Sequence, residues 1–197
     1  RYDRASARAA LGLPADGEVA LFFGYVRRYK GLDTLLEAWR ALRARRDVTL
    51  VVAGEFYEDA APYRALAAAA GGPPGVRLLE RYLPDDEVEA CFKAADVAVL
   101  PYRSATQSGV THAAFALGVP VITTDVGGLA ETVAPGRTGL VVPPEDPAAL
   151  AAAVEDFFAR GLGPAMRAHV AALLPEWMRE LPPPSGRIGE RKIKWAG

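Results

Sequence analysis

The stretch Val19-Ala20-Leu21-Phe22-Phe23-Gly24-Tyr25-Val26-Arg27-Arg28-Tyr29-Lys30-Gly31-Leu32 decides the fold. Five apolar residues run without a polar break, a glycine ends them, and a cationic segment leads into an amphipathic pattern. So short an apolar run, with no alternation, reads as a parallel strand buried on both faces. The arrangement recurs: Gly54–Asp59 follows Val48–Ala53, Pro101–Gly109 follows Val97–Leu100, and Thr124–Gly128 follows Val119–Thr123. In an open α/β sheet, ligands sit beyond the carboxyl ends of the strands. Four loops bearing Arg, Lys, Glu, Gln, Ser and Gly are therefore expected to converge on one rim. The rim suits a small polar ligand, one carrying phosphates.

Working outward, helical patterns separate the strands. Arg4–Leu11 reads as a short helix stopped by Gly12 and Pro14. Leu32, Leu35, Leu36, Trp39 and Leu42 recur at helical spacing within Leu32–Arg45, with charges between them. Further helices are expected over Tyr63–Ala70, Asp85–Ala94 (with Pro84 at its start), Gly109–Leu117 and Ala148–Arg160, and further strands over Val76–Leu79 and Leu140–Val142. This βαβ rhythm predicts a Rossmann-like, doubly wound parallel sheet with helices on both faces. One domain is expected over residues 1–174. The Pro-rich, basic segment 175–197 is expected to be an irregular tail.

Bulk composition removes several function classes. The chain has 197 residues and a formal net charge of −1, which gives no nucleic-acid signature. The single cysteine, Cys91, rules out a disulfide framework within the chain and reads as a small buried hydrophobe. No apolar stretch approaches the roughly 20 residues that span a bilayer, and no signal-peptide pattern opens the chain. The expected location is cytoplasmic. Two distant histidines and one cysteine make no zinc site. His112 reads as a satisfied or exposed helix residue, and His169 as a surface one.

Three segments can carry chemistry. In the first, Gly24 and Gly31 permit tight turns, and Arg27 and Lys30 can clamp a diphosphate, one as a fork and the other as a point charge. The bland alternative is a solvated basic turn. The segment is neither a dinucleotide fingerprint nor a phosphate-binding P-loop. In the second, Gln107-Ser108-Gly109-Val110, Ser108 can cap a helix while Gly109 admits a ligand oxygen to the first-turn N–H groups. Plain capping is the alternative, and Ser104 with Gln107 also has capping-box spacing. In the third, Gly127 and Gly128 bring backbone close to whatever occupies the rim, and Glu131 caps that loop or contacts ligand. Glu55 and Glu58, beyond the second strand, can accept from sugar hydroxyls or are simply solvated.

Taken in order, these segments resemble the C-terminal half of the retaining GT-B glycosyltransferases of family 4. The similarity runs from about Val19 to Phe158 and rests on Phe23-Gly24, Lys30-Gly31-Leu32-Asp33, Val52-Ala53-Gly54-Glu55 and Ala94-Ala95-Asp96-Val97. It continues through Leu100-Pro101, Gly118-Val119-Pro120-Val121-Ile122, Asp125-Val126-Gly127-Gly128 with Glu131, and Gly136-Arg137-Thr138-Gly139-Leu140. The resemblance implies a nucleotide-sugar donor as substrate, no cofactor and no metal, with Arg27 and Lys30 as the catalytic cations on the donor diphosphate. The family's usual arginine directly follows the glycine, where this chain has Tyr25. Its two usual glutamates fall on Ala105 and Ala113, so Glu55, Gln107 or His112 would have to serve the ribose and sugar. The resemblance also implies an N-terminal GT-B domain as partner, which this chain lacks, and is compatible with an acceptor at a membrane surface. The alternative is a non-catalytic nucleotide- or partner-binding module of the same fold.

Overall fold

The computed structural model describes residues 2–173. The helix α1 (Arg4–Ala10) precedes β1 (Glu18–Phe23), and a 3-10 turn at Arg28–Lys30 leads into α2 (Leu32–Arg43). There follow β2 (Val48–Ala53), α3 (Ala61–Ala69), the single turn α4 (Gly72–Gly75), β3 (Val76–Leu79), α5 (Asp85–Ala94) and β4 (Val97–Leu100). The second half holds α6 (Gly109–Ala116), β5 (Val121–Thr124), a 3-10 turn at Gly127–Thr132, β6 (Gly139–Val142), α7 (Pro147–Ala159) and α8 (Leu162–Leu173).

The six strands lie in the order β3-β2-β1-β4-β5-β6, and all pairings are parallel. This is the doubly wound order, and its connections reverse direction between β1 and β4. The loops after those two strands therefore diverge and leave a crevice between them.

Period-two alternation explains the two cores. Ala20 and Phe22 of β1 face the layer built from α2, α3, α7 and α8, while Val19, Leu21 and Phe23 face α1, α5 and α6. Both sets are buried, which is why β1 shows no polar alternation in sequence. The periodic apolar residues of α2 all point inward, with Leu32, Leu35, Leu36, Trp39 and Leu42 at most 1 % exposed.

Arg8 is wholly buried at the opposite, amino end of the strands, and each of its three nitrogens has a partner there. Its Nε donates to the Ala94 carbonyl at 3.0 Å, Nη1 to the Ala15 carbonyl at 2.8 Å and Nη2 to Asp96 Oδ2 at 3.0 Å. Asp96 Oδ2 also accepts from the Val19 N–H at 2.9 Å, so this pair anchors α1 to the start of β1. Cys91 is buried in α5, as its neighbours in sequence suggest.

Two local readings are corrected. The cap of α6 is Ser108, whose Oγ accepts from the Val110 N–H; Ser104 and Gln107 do not form the capping box their spacing allows. The helix α8 was not expected, because Gly161, Gly163 and Pro164 punctuate its start and alanine dominates the rest. It forms nonetheless, by burying Met166 and Val170, four residues apart. His169 on α8 is exposed, as expected. The expected tail at 175–197 lies outside the described residues.

Candidate functional site

The crevice is built from the loops after β1 and β4. The β1 loop is fastened first to its β2 neighbour. The Val26 N–H donates to the Glu55 carbonyl at 2.8 Å, the Tyr57 N–H to the Val26 carbonyl at 3.2 Å, and the Arg28 N–H to the Glu58 carboxylate. Glu58 also accepts from the Tyr63 hydroxyl at 3.3 Å. That carboxylate, read as a candidate for sugar hydroxyls, instead fixes the loop's backbone.

Gly31 then turns the chain at φ +65° and sits directly on the β4 loop. A Cβ there would lie 2.0 Å from the Pro101 carbonyl oxygen, so no other residue fits. This contact brings Lys30 into the interior, where it is 7 % exposed. Its Nζ lies 5.4 Å from the Tyr102 ring centroid and so close to Gly24 that a Cβ on that glycine would stand 2.7 Å away. The same phantom Cβ would touch Val110 at 3.6 Å, which places the ammonium near the start of α6.

Tyr102 completes the join. Its buried hydroxyl lies 3.3 Å from Ser108 Oγ, and burial raises its pKa. Lys30, Gly24, Tyr102, Ser108 and Val110 therefore form one group, on one side of the sheet. Among the described residues no carboxylate pairs with Lys30. Burial, followed by repulsion from Arg27, lowers its pKa from 10.5 to about 8. A buried cation without a counter-charge beside a helix N-terminus has the charge and the geometry to receive an anion.

The other expected residues fall around this centre. Arg27 is exposed, with its guanidinium 4.9 Å from the centroid of the Tyr57 ring, so it stands at the lip. Gln107 and Gly109 are exposed at the start of α6. Of the first-turn N–H groups, that of Val110 is taken by Ser108 Oγ at 3.2 Å and that of Thr111 by the Ser108 carbonyl at 3.1 Å. Among the described residues nothing accepts from the Gly109 N–H, and Gly109 is exposed. His112 is exposed one turn on, with Nδ1 at 3.1 Å from the Ser108 carbonyl.

Gly127 and Gly128 have a structural task. A Cβ at Gly127 would lie 1.9 Å from the Ala105 carbonyl oxygen, and one at Gly128 would lie 2.5 Å from that of Thr106. The backbone they approach is the loop leading into α6. Glu131 is exposed on the same 3-10 turn. Ala113 faces the core at 4 % exposure.

Glu55 lines a separate cavity, with Gly24, Tyr25, Tyr82, Leu83 and Asp85, beyond the ends of β1, β2 and β3. Gly24 thus borders both the cavity and the Lys30 ammonium. Sequence reasoning did not single out Tyr82, Tyr102 or Arg103. Their only signal was position: each stands just beyond the carboxyl end of a strand. Arg103 ties together more of the crevice than any residue that was named. It donates to Asp33 Oδ2 at 2.8 Å, Glu145 Oε1 at 2.9 Å and the Arg28 carbonyl at 2.9 Å. Among the described residues no three His, Cys, Asp or Glu side chains converge as a metal site, and no helix is long and apolar enough to cross a membrane.

A doubly wound domain with this rim is matched, over residues 17–160, by the pattern of the family described as glycosyl transferases, group 1. The chain belongs to that family. A D-inositol 3-phosphate glycosyltransferase of Geodermatophilus obscurus is 38 % identical over 189 residues, which cover 90 % of this chain and 41 % of that protein. This group 1 glycosyl transferase chain thus spans about two fifths of the length of that curated relative. Among solved structures, the C-terminal domain of the group 1 glycosyl transferase LpcC of Francisella tularensis superposes with a TM-score of 0.76. It is 20 % identical, and the match covers 88 % of this chain and 91 % of that domain. Anabaena HepE, solved in complex with UDP-glucose, gives a TM-score of 0.72 at 19 % identity, over 87 % of this chain and 47 % of that one. The fold of this group 1 glycosyl transferase chain is that of a GT-B C-terminal domain.

Proposed function

We propose that this chain is the donor-binding half of a retaining glycosyltransferase. It holds a nucleoside diphosphate sugar, and the complete enzyme transfers the sugar to an acceptor hydroxyl with its anomeric configuration kept. The observation that carries this reading is Lys30, a buried ammonium with no carboxylate partner among the described residues, set at the N-terminus of α6. As the glycosidic bond breaks, negative charge grows on the departing diphosphate. Lys30, the Gly109 N–H and the α6 dipole receive that charge, with Arg27 joining from the lip. The cavity beside Gly24 takes the base between Tyr25 and Tyr82, and Glu55 accepts from ribose hydroxyls. The partner is an N-terminal GT-B domain, which supplies the acceptor site and closure; a membrane-surface acceptor fits the same scheme.

A second reading has its own observation. Positions 105 and 113 hold alanine where the family's carboxylates stand, and Ala113 is packed into the core. A non-catalytic nucleotide-binding module would keep Lys30 and lose those groups.

Titration of the chain with UDP, GDP, ADP and their sugars tests the site. Lys30→Ala is expected to weaken diphosphate binding by about 1.5–3 kcal/mol, roughly ten- to a hundredfold. Arg45→Ala, at a residue just beyond α2 whose guanidinium pairs with Glu155 of α7, leaves it unchanged. Equal binding by the parent and Lys30→Ala defeats the proposed site. Adding the N-terminal half then separates the two readings: sugar transfer supports the enzyme, and tight binding without transfer supports the module.

A further inference from the structure

Lys30 is aimed by its backbone alone. Among the described residues no hydrogen bond or ion pair fixes its Nζ, which lies against Gly24 and the Tyr102 ring. Its direction is therefore set by the 3-10 turn Arg28–Lys30, and that turn is gripped from both sides. Glu58 accepts from the Arg28 N–H, and Arg103 Nη1 donates to the Arg28 carbonyl at 2.9 Å. The Arg103 backbone N–H adds a bond to the Tyr29 carbonyl at 2.7 Å. Arg103 is itself held: its Nη2 reaches Asp33 at 2.8 Å in the first turn of α2, and its Nε reaches Glu145 at 2.9 Å beyond β6. Its side chain is 23 % exposed, so these bonds are shielded in part from water.

We propose that Arg103 is a positioning residue for diphosphate binding, acting through Lys30 by clasping the Arg28–Lys30 turn to the β4 loop. The inference rests on the donor-diphosphate reading of the crevice and adds a residue to it. Planarity is what suits arginine to the task, since one guanidinium serves a carbonyl and two carboxylates at once in fixed directions. A lysine can satisfy only part of that set. The turn carries the buried Lys30 ammonium, so a small swing of Arg28 moves it out of line with the α6 N-terminus. Geometry-setting partners of this kind typically change ligand affinity ten- to a hundredfold at metal sites, a comparable case of held first contacts.

A double-mutant cycle on UDP affinity tests the clasp. Arg103→Ala is expected to weaken UDP binding about tenfold, and Arg103→Lys to recover only part of the loss. In a Lys30→Ala background the same Arg103→Ala change should cost less than about twofold, because there is no ammonium left to aim. A purely structural role would make the two losses add, and additive losses overturn the proposal. Glu58→Ala removes the acceptor for the Arg28 N–H, loosens the same turn from its other side and runs the same cycle should Arg103→Ala fail to fold. Thermal melting of each variant identifies folding failure. If the parent binds none of UDP, GDP or ADP, the reading of the crevice falls and the clasp with it. If Lys30→Ala abolishes UDP binding while Arg103→Ala and Glu58→Ala leave it intact, the clasp alone falls.

Discussion

Lys30→Met should make the protein more stable and less able to bind a diphosphate. Methionine nearly matches the lysine stem in volume and removes the ammonium from a position that is 7 % exposed. Burial and Arg27 lower the Lys30 pKa from 10.5 to about 8, which at 1.36 kcal/mol per pH unit is a cost to the charged folded state of about 3 kcal/mol. The ammonium also lies 5.4 Å from the Tyr102 ring centroid, a contact that offsets about 0.5–1 kcal/mol. The net gain on substitution at pH 7 is therefore about 2 kcal/mol, or a rise of roughly 4–8 °C in melting temperature for a chain of this size. The sign of its pH dependence is fixed by linkage. Below pH 8 both states hold the proton, and only the folded state suffers the desolvation. From pH 8 to 10.5 the unfolded chain binds a proton that the folded chain has released, so the parent becomes more stable as pH rises. The advantage of methionine should thus fall by more than half between pH 7 and pH 9.5, in urea unfolding of both proteins at each pH. A variant that is less stable than the parent at pH 7, or whose advantage does not change with pH, would refute the account of Lys30 as an uncompensated buried cation.

UDP affinity should fall as pH rises through about 8, because the free site must then take up a proton to bind; calorimetry at pH 7.5 and pH 9.5 measures this. Arg8→Met strips donors from the Ala94 and Ala15 carbonyls and from Asp96, and should cost about 3 kcal/mol in denaturant unfolding. Cys91 is buried and its thiol is pushed up to about 12, so iodoacetamide at pH 8 should label it only as fast as the protein unfolds; rapid labelling of the native protein would contradict that burial. Gly127→Ala combines a φ of +48° with a Cβ 1.9 Å from the Ala105 carbonyl, and should cost more than about 2 kcal/mol. Gly161→Ala has a similar φ of +61° but open space around it, and should cost only about 1 kcal/mol.

The central strands were legible because each is a short, mainly apolar run sealed on both faces, and the loops at their carboxyl ends stood out as polar, glycine-bearing breaks. Lys30 was legible for the same reason, as a cation at the end of the first strand. Its burial was not, since that follows from Gly31 resting on the Pro101 carbonyl, a contact between segments seventy residues apart. Arg103 was invisible for a related reason. An arginine in a polar loop looks like any solvated charge until Asp33, Glu145 and the Arg28 carbonyl are seen around it. Glu58 misled in the opposite direction, because a carboxylate facing a rim gives no sign that a backbone N–H has already claimed it. For α8, glycine and proline at the start outweighed a weak apolar period, and tertiary burial of Met166 and Val170 decided otherwise.

The absence of side chains at Gly127 and Gly128 has a consequence for anyone redesigning this domain. With Ala105 and Thr106 seated directly on their backbone, the loops after β4 and β5 are cast against each other like two halves of a mould. The contacts are between main chains, so a change that shifts the backbone at 105 or 106 must be met by one at 127 or 128. A different loop after β4 is therefore best grafted together with the loop after β5 that was shaped against it. The two segments are therefore expected to vary together, as a single inherited part, however far apart they stand in the chain.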